Sequence, residues 1–137
     1  MNTSQSPVVL AQQVPDDERV NTLPKHFGRN MQTVEQAIYT LMRGLAPDYR
    51  GAYWHFYELS NGGFYMAPQL DHLRMKVDTN GCDVQMTADA AGITVCLFAF
   101  SHLSFHVDDQ DIVEHFHLLR EFALQHSEAS NIIAAID

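Results

Sequence analysis

Basic residues are scarce in this chain: eight Lys and Arg stand against seventeen Asp and Glu, for a net charge of −9 over 137 residues. That balance argues against a protein held on nucleic acid by a basic surface. No apolar run approaches the ~20 residues that span a bilayer, so no membrane segment is expected. The first residues lack a basic region followed by a long apolar core, so no signal peptide is expected and the chain reads as cytoplasmic. Only two cysteines occur, Cys82 and Cys96. They lie in apolar patterns and read as free thiols of a cytoplasmic protein rather than a disulfide. Signatures of chemistry are missing too. There is no Gly-x-Ser-x-Gly elbow, P-loop or dinucleotide fingerprint. Asp108, Asp109 and Asp111 lack the glycine and terminal glutamate of a calcium loop.

What is present is globular: 46% apolar and 18% charged residues, in a length that suits one domain. Residues 1–13 are poorly patterned and read as a loosely ordered arm with a short strand at Val8–Leu10. Residues 14–137 read as a single domain. The charge is lopsided. Residues 1–76 balance seven basic against seven acidic side chains, whereas residues 77–137 carry ten acids and Arg120 alone. Such a surface repels nucleic acid and suits a basic partner. It also serves solubility.

Aromatic residues concentrate between Gly51 and Pro68, around the only tryptophan. Tyr53, His55, Tyr57 and Leu59 alternate with Ala52, Trp54, Phe56 and Glu58, the period-2 pattern of a strand. Asn61-Gly62 supplies a hairpin turn that tolerates positive φ. A two-residue loop there places Leu59 opposite Phe64 and Tyr57 opposite Met66; a loop at Gly62-Gly63 shifts that register. A second alternating pair follows at 72–78 and 82–86 around Asn80-Gly81. Two hairpins in series predict an antiparallel sheet of about four strands.

Four to five helices surround it. Pro15 with Asp16, Asp17 and Glu18 starts a short helix, which Pro24 ends. Leu23–Gly28 reads as a turn that docks Phe27. Val34, Ile38, Leu41, Met42 and Leu45 form one apolar face of a helix over about 32–46, capped by Asn30 or by Thr33 with Gln36. Thr87 caps a segment apolar nearly all round through Phe105, a buried helix or, given Ile93-Thr94-Val95, a buried strand. Gly92 would allow close packing on the sheet. Asp108 or Asp109 starts the next helix, whose apolar side carries Ile112, Phe116, Leu119, Phe122 and Ala123. A last short helix follows Ser127. The fold class is α+β.

Histidines are the first candidates for chemistry. His102 and His106 have the i, i+4 spacing that places two rings on one helical side. No Glu follows His102 as in a metalloprotease motif, and surface histidines are the simpler reading. His115 and His117 are too far apart around a helix to share a metal. His115 reads as a satisfied histidine at the core edge. His55 could meet His72 on a neighbouring strand and, with Tyr57, form a ligand pocket beside the sheet. No catalytic residue, metal or cofactor is assigned. Asp108, Asp111, Glu114 and Glu121 form an acidic stripe suited to a partner contact.

The run Tyr53-Trp54-His55-Phe56-Tyr57-Glu58-Leu59-Ser60-Asn61-Gly62-Gly63-Phe64-Tyr65-Met66-Ala67-Pro68 closely resembles the signature of antirestriction proteins of the ArdB/KlcA type. Leu23-Pro24, Phe27-Gly28, Ala90-Ala91-Gly92-Ile93 and the closing Ala135-Ile136-Asp137 extend the resemblance over most of residues 14–137. The resemblance implies a small, non-enzymatic cytoplasmic protein, usually carried by a plasmid or genomic island. It would help incoming DNA escape type I restriction–modification enzymes, and its partner would be such an enzyme or an associated host factor. No sequence-specific nucleic acid is expected as a partner, and the protein is expected to be a monomer. Read physically, the signature residues Tyr53, Trp54, Phe56, Tyr57, Asn61, Gly62, Gly63, Phe64, Tyr65 and Pro68 are mainly fold residues. The rival reading is a small ligand- or metal-binding domain or enzyme.

Overall fold

A computed structural model describes residues 8–137. Residues 1–7 of the expected arm lie outside the described residues. The rest is α+β, with five strands and five α-helices among the described residues. The strands are β1 (Ala11–Gln13), β2 (Trp54–Leu59), β3 (Phe64–Pro68), β4 (His72–Val77) and β5 (Cys82–Thr87). The helices are α1 (Arg19–Phe27), α2 (Met31–Leu45), α3 (Ala88–Ser104), α4 (Gln110–Ala123) and α5 (Ala129–Ile136).

The two hairpins do not merge into the expected single sheet. β1, β2 and β3 form one antiparallel sheet; β4 and β5 form another. The reason lies at the outer edge of β3. The carbonyl of Phe56 accepts from Val14 N–H on the β1 side. Met66, opposite Phe56, therefore turns its own carbonyl away from β2. α3 occupies that edge. A Cβ on Gly92 would stand 2.5 Å from the Met66 oxygen, and Cys96 Sγ donates to the same oxygen at 3.7 Å. A helix fills the place a fourth strand would need. The strand expected at Val8–Leu10 sits slightly later, as β1.

The register of β2–β3 also differs from both expected pairings. Tyr57 lies opposite Tyr65 and Glu58 opposite Phe64. The loop has three residues, Ser60-Asn61-Gly62. Gly62 N–H donates to the Leu59 carbonyl at 2.9 Å, and Leu59 N–H to the Gly63 carbonyl at 2.9 Å. Gly62 adopts φ 94°, the left-handed step that follows a type I turn in such loops. In the second hairpin Val77 faces Cys82, so its loop holds four residues rather than Asn80-Gly81 alone.

Pro24 does not end the first helix. A 3-10 turn at Asp16–Glu18 leads into α1, which runs through Pro24 to Phe27. A proline in a helix interior costs roughly 3 kcal/mol. Burying Leu23 and Phe27 returns about 1.5–3 kcal/mol each. Gly28, at φ 52°, ends the helix.

α2 matches its expected span and buries Val34, Ile38 and Met42. Neither expected cap operates on it. Asn30 occupies the N-cap position but sends its Nδ2 to Asp109 Oδ2 at 2.7 Å. At α5 the N-cap is Glu128, without a side-chain cap. Thr87 does cap α3: its Oγ1 accepts from Ala90 N–H at 3.2 Å. The segment behind it is helical, not extended, and buried nearly all round. Asp109 caps α4 by accepting from Asp111 N–H at 2.9 Å. Both cysteines are free; burial pushes the Cys96 thiol up to about 12. No helix among the described residues is long and apolar enough to cross a membrane.

Candidate functional site

The β2–β3 hairpin presents two faces. Trp54, Phe56, Phe64 and Met66 point into the core. Trp54 Nε1–H donates to Tyr49 Oη at 2.9 Å, and Tyr39 packs edge-on against its ring at 5.3 Å. The Arg19 guanidinium lies 4.5 Å from the ring centres of Phe56 and the half-exposed Tyr53. On the other face Tyr57 stacks on Tyr65 with ring centres 4.6 Å apart. Tyr65 donates to Asp89 Oδ1 at 2.7 Å. Burial, with the Asp89 charge and that bond, holds the Tyr65 hydroxyl well above the ordinary phenol range. Pro68 closes β3 opposite Trp54.

The signature turn reaches further than its own hairpin. Asn61 Oδ1 accepts from Gly63 N–H at 2.9 Å and so shapes the turn. Its Nδ2 donates to the Leu118 carbonyl at 3.0 Å and to Glu121 Oε1 at 2.8 Å. A Cβ on Gly63 would come within 3.0 Å of Leu118 Cβ. Asn61 and Gly63 together dock the turn onto α4. This docking splits the acidic stripe. Glu121 is tied to Asn61. Asp111 and Glu114 flank a groove of about 310 Å³ between α4, the turn and the end of α1. Asp108 lies apart, in a depression at the α3–α4 corner beside Phe105, which is 82% exposed.

Beneath the groove lies a pair of histidines that local patterns did not reveal. His26 and His115 meet edge to face at 4.8 Å between ring centres. His26 Nε2–H donates to Glu58 Oε1 at 2.8 Å, and Lys25 Nζ reaches Glu58 Oε2 at 3.2 Å. His115 is only 6% exposed, and its buried Nδ1 has no hydrogen-bond partner. It is a core-edge histidine, as expected, but not a satisfied one. Burial, with His26 beside it, lowers it to about 4, so the ring is neutral at pH 7. The two residues are far apart in sequence, and His26 falls in a segment that reads as a turn.

Elsewhere, histidines lead to less. His102 and His106 approach to 4.7 Å between ring centres, both exposed. Among the described residues, no three His, Cys, Asp or Glu side chains are grouped to hold a metal. His55 and His72 do not meet, because they sit in different sheets. His55 and Tyr57 line a shallow depression with Asp71 and Asp89, without His72. His55 Nδ1 accepts from Gln13 Nε2 at 3.2 Å. Asp89 also accepts from His126 Nε2 at 2.9 Å. Glu128 N–H donates to His126 Nδ1, which fixes the proton on Nε2. These contacts join the sheet to α3 and the α4–α5 connection.

The family described as "Antirestriction protein" matches residues 47–137, a span that includes the docked turn and all of α4. The chain belongs to the antirestriction protein family. It is 43% identical to the antirestriction protein KlcA of Escherichia coli, with both chains covered completely. It is 32% identical to the putative antirestriction protein YubI of Escherichia coli K12, over 96% of each chain. A solved structure of the KlcA and ArdB type superposes with a TM-score of 0.89, at 44% identity over the whole of both chains. That work describes a novel fold and antirestriction activity against type I DNA restriction systems in vivo but not in vitro. The superposition covers the whole of the α+β frame that positions the groove in this chain.

Proposed function

We propose that this protein protects incoming plasmid or phage DNA by inhibiting type I restriction–modification enzymes. It does so by contacting a protein, or by interfering with translocation, rather than by imitating a DNA duplex. The whole-chain similarity to a KlcA-type structure of reported antirestriction activity carries the reading. The spacing of charge supports the mode of action. A duplex carries one charge per ~1.7 Å of axis. Asp111 to Glu121 spans roughly 15 Å of helix at 1.5 Å per residue. A duplex would present about nine charges over that length. α4 offers Asp111, Glu114 and Glu121, with Arg120 among them and Glu121 bonded to Asn61.

In this reading the protein is a cytoplasmic, non-enzymatic inhibitor without a cofactor, acting as a monomer. Its partner is a type I enzyme or an associated host factor, and its contact surface is the α4 stripe. The test is plating of unmodified phage on a restricting host, with and without the protein, beside a restriction-deficient host. Plating restored only in the restricting host is expected. Unchanged plating with soluble protein present would overturn the reading. A folded variant with Asp111, Glu114 and Glu121 changed to Lys is expected to lose protection; full protection would exclude the stripe as the contact.

A further inference from the structure

We infer that the groove between α4, the β2–β3 turn and the end of α1 receives an arginine side chain from a partner protein. The inference rests on the antirestriction reading for the partner's biological setting, but its evidence is local. Asp111 and Glu114 are exposed at the rim, and neither carboxylate has a hydrogen-bond or ion-pair partner among the described residues. Lys25, the one cation at the rim among the described residues, is already committed to Glu58. The free charge of the groove is therefore negative. Acids on a helix surface are ordinarily no more than a solvated face, but this groove has a floor of a different kind. His115 lines it, is nine-tenths buried, and leaves Nδ1 without a partner. A neutral imidazole there adds no repulsion to an incoming cation.

The floor and rim together match a guanidinium better than a bare ammonium. The planar group can place its N–H donors on two carboxylates at once, which a single ammonium does with less geometric match. His26 and His115 form the floor, both almost wholly buried, and Leu118 lines the groove beside them, apolar surface for the aliphatic stem. A volume of about 310 Å³ is enough for one long side chain. The groove is held open by the fold itself. Asn61 fastens the turn to the Leu118 carbonyl, and Glu58 fastens His26 from behind. The signature turn thus frames a recognition site in addition to closing a hairpin.

The experiment is a ¹H–¹⁵N NMR titration of the full chain with N-acetyl-L-arginine methylamide. The norleucine analogue serves as the uncharged probe, and zinc ion is titrated in parallel. Saturable shifts confined to Asn61, Gly62, Asp111, Glu114, His115 and their neighbours are expected with the arginine probe alone. The Asp111→Asn, Glu114→Gln double variant is isosteric and exposed, and should bind about tenfold more weakly or not at all. Asp78→Asn removes one charge from the distant β4–β5 loop and should bind as the parent does. Equal binding by the double variant, equal response to norleucine, or a response to zinc without one to arginine would overturn the proposal. The plating assay on the parent protein reads the antirestriction function separately, so failure of either idea is visible without the other.

Discussion

The two hairpins, β2–β3 and β4–β5, share a construction and differ in their surroundings. Both are antiparallel, and both close on a glycine with positive φ, Gly62 and Gly81. β3 is buried along its whole length, whereas β4 alternates strictly between buried and exposed residues. The first hairpin is enclosed between helices on one side and the Tyr65–Phe122 stack on the other. The second lays Leu73, Met75 and Val77 on the core and leaves His72, Arg74 and Lys76 in water. A hairpin covered on both faces can carry aromatic residues everywhere and organise other elements around it. One covered on a single face contributes a wall. Polar bonds do not follow that division. Asn61 and Tyr65 of the first hairpin reach α4 and α3, and Asn80 of the second donates to carbonyls of α5; only the Arg74–Asp83 pair stays within its own ladder.

The comparison is broken most directly by Phe64→Ala. Phe64 is fully buried and packs against Phe27, Phe56 and His26. Denaturant unfolding should show a loss of about 3–5 kcal/mol. A loss below about 1 kcal/mol would mean that the first hairpin is not the organising one.

A smaller effect is expected from acid. His115 lies against Phe27 and His26 with its folded-state value lowered to about 4. Both states hold it neutral above its ordinary value near 6.5. As pH falls below that value, the unfolded chain takes up the proton first, so stability drops between about pH 6.5 and pH 4. The drop attributable to this ring is about 2–3 kcal/mol. His115→Gln should flatten that part of the pH–stability curve; an unchanged slope would remove His115 as its cause.

The smallest effect belongs to the second hairpin. Arg74 makes two hydrogen bonds to Asp83, at 2.8 and 2.6 Å, but the pair is open to solvent. Exposed pairs are screened and lose side-chain entropy on forming. Arg74→Ala should leave the melting temperature unchanged within error, at low and at high salt. A salt-dependent fall would show that the second hairpin carries more of the fold than its packing suggests.

Particular elements show how far the chain can be read without its structure. Thr87 as a cap, the all-round apolar α3 and the face of α2 were legible because each depends on neighbours within a few residues; Gly92 marked a close approach without naming Met66 and Ala67 as what it meets. So was the chemistry of the signature: rings for packing, Asn61 and Gly62 for a turn. The family resemblance, carried by a long specific run, agrees with the family to which the chain belongs. The hairpin register was not legible, because Ser60-Asn61-Gly62 and Asn61-Gly62 both satisfy turn chemistry. Helical Pro24 was not legible, since the burial that offsets it comes from other elements.

By itself, then, the order of residues determined the periodicities, the caps at Thr87 and Asp109, the free cysteines, the acidic C-terminal half and the family. These follow from local stereochemistry and from charge, which need no partner in space. The tertiary structure alone decided that α3, rather than another strand, lies along β3, and that the two hairpins belong to separate sheets. It also decided that Asn30 serves Asp109 instead of its own helix, and that His26 meets His115 beneath Asp111 and Glu114. Each of these is a competition between contacts distant along the chain, settled by which arrangement buries the most apolar surface and leaves the fewest polar groups without partners.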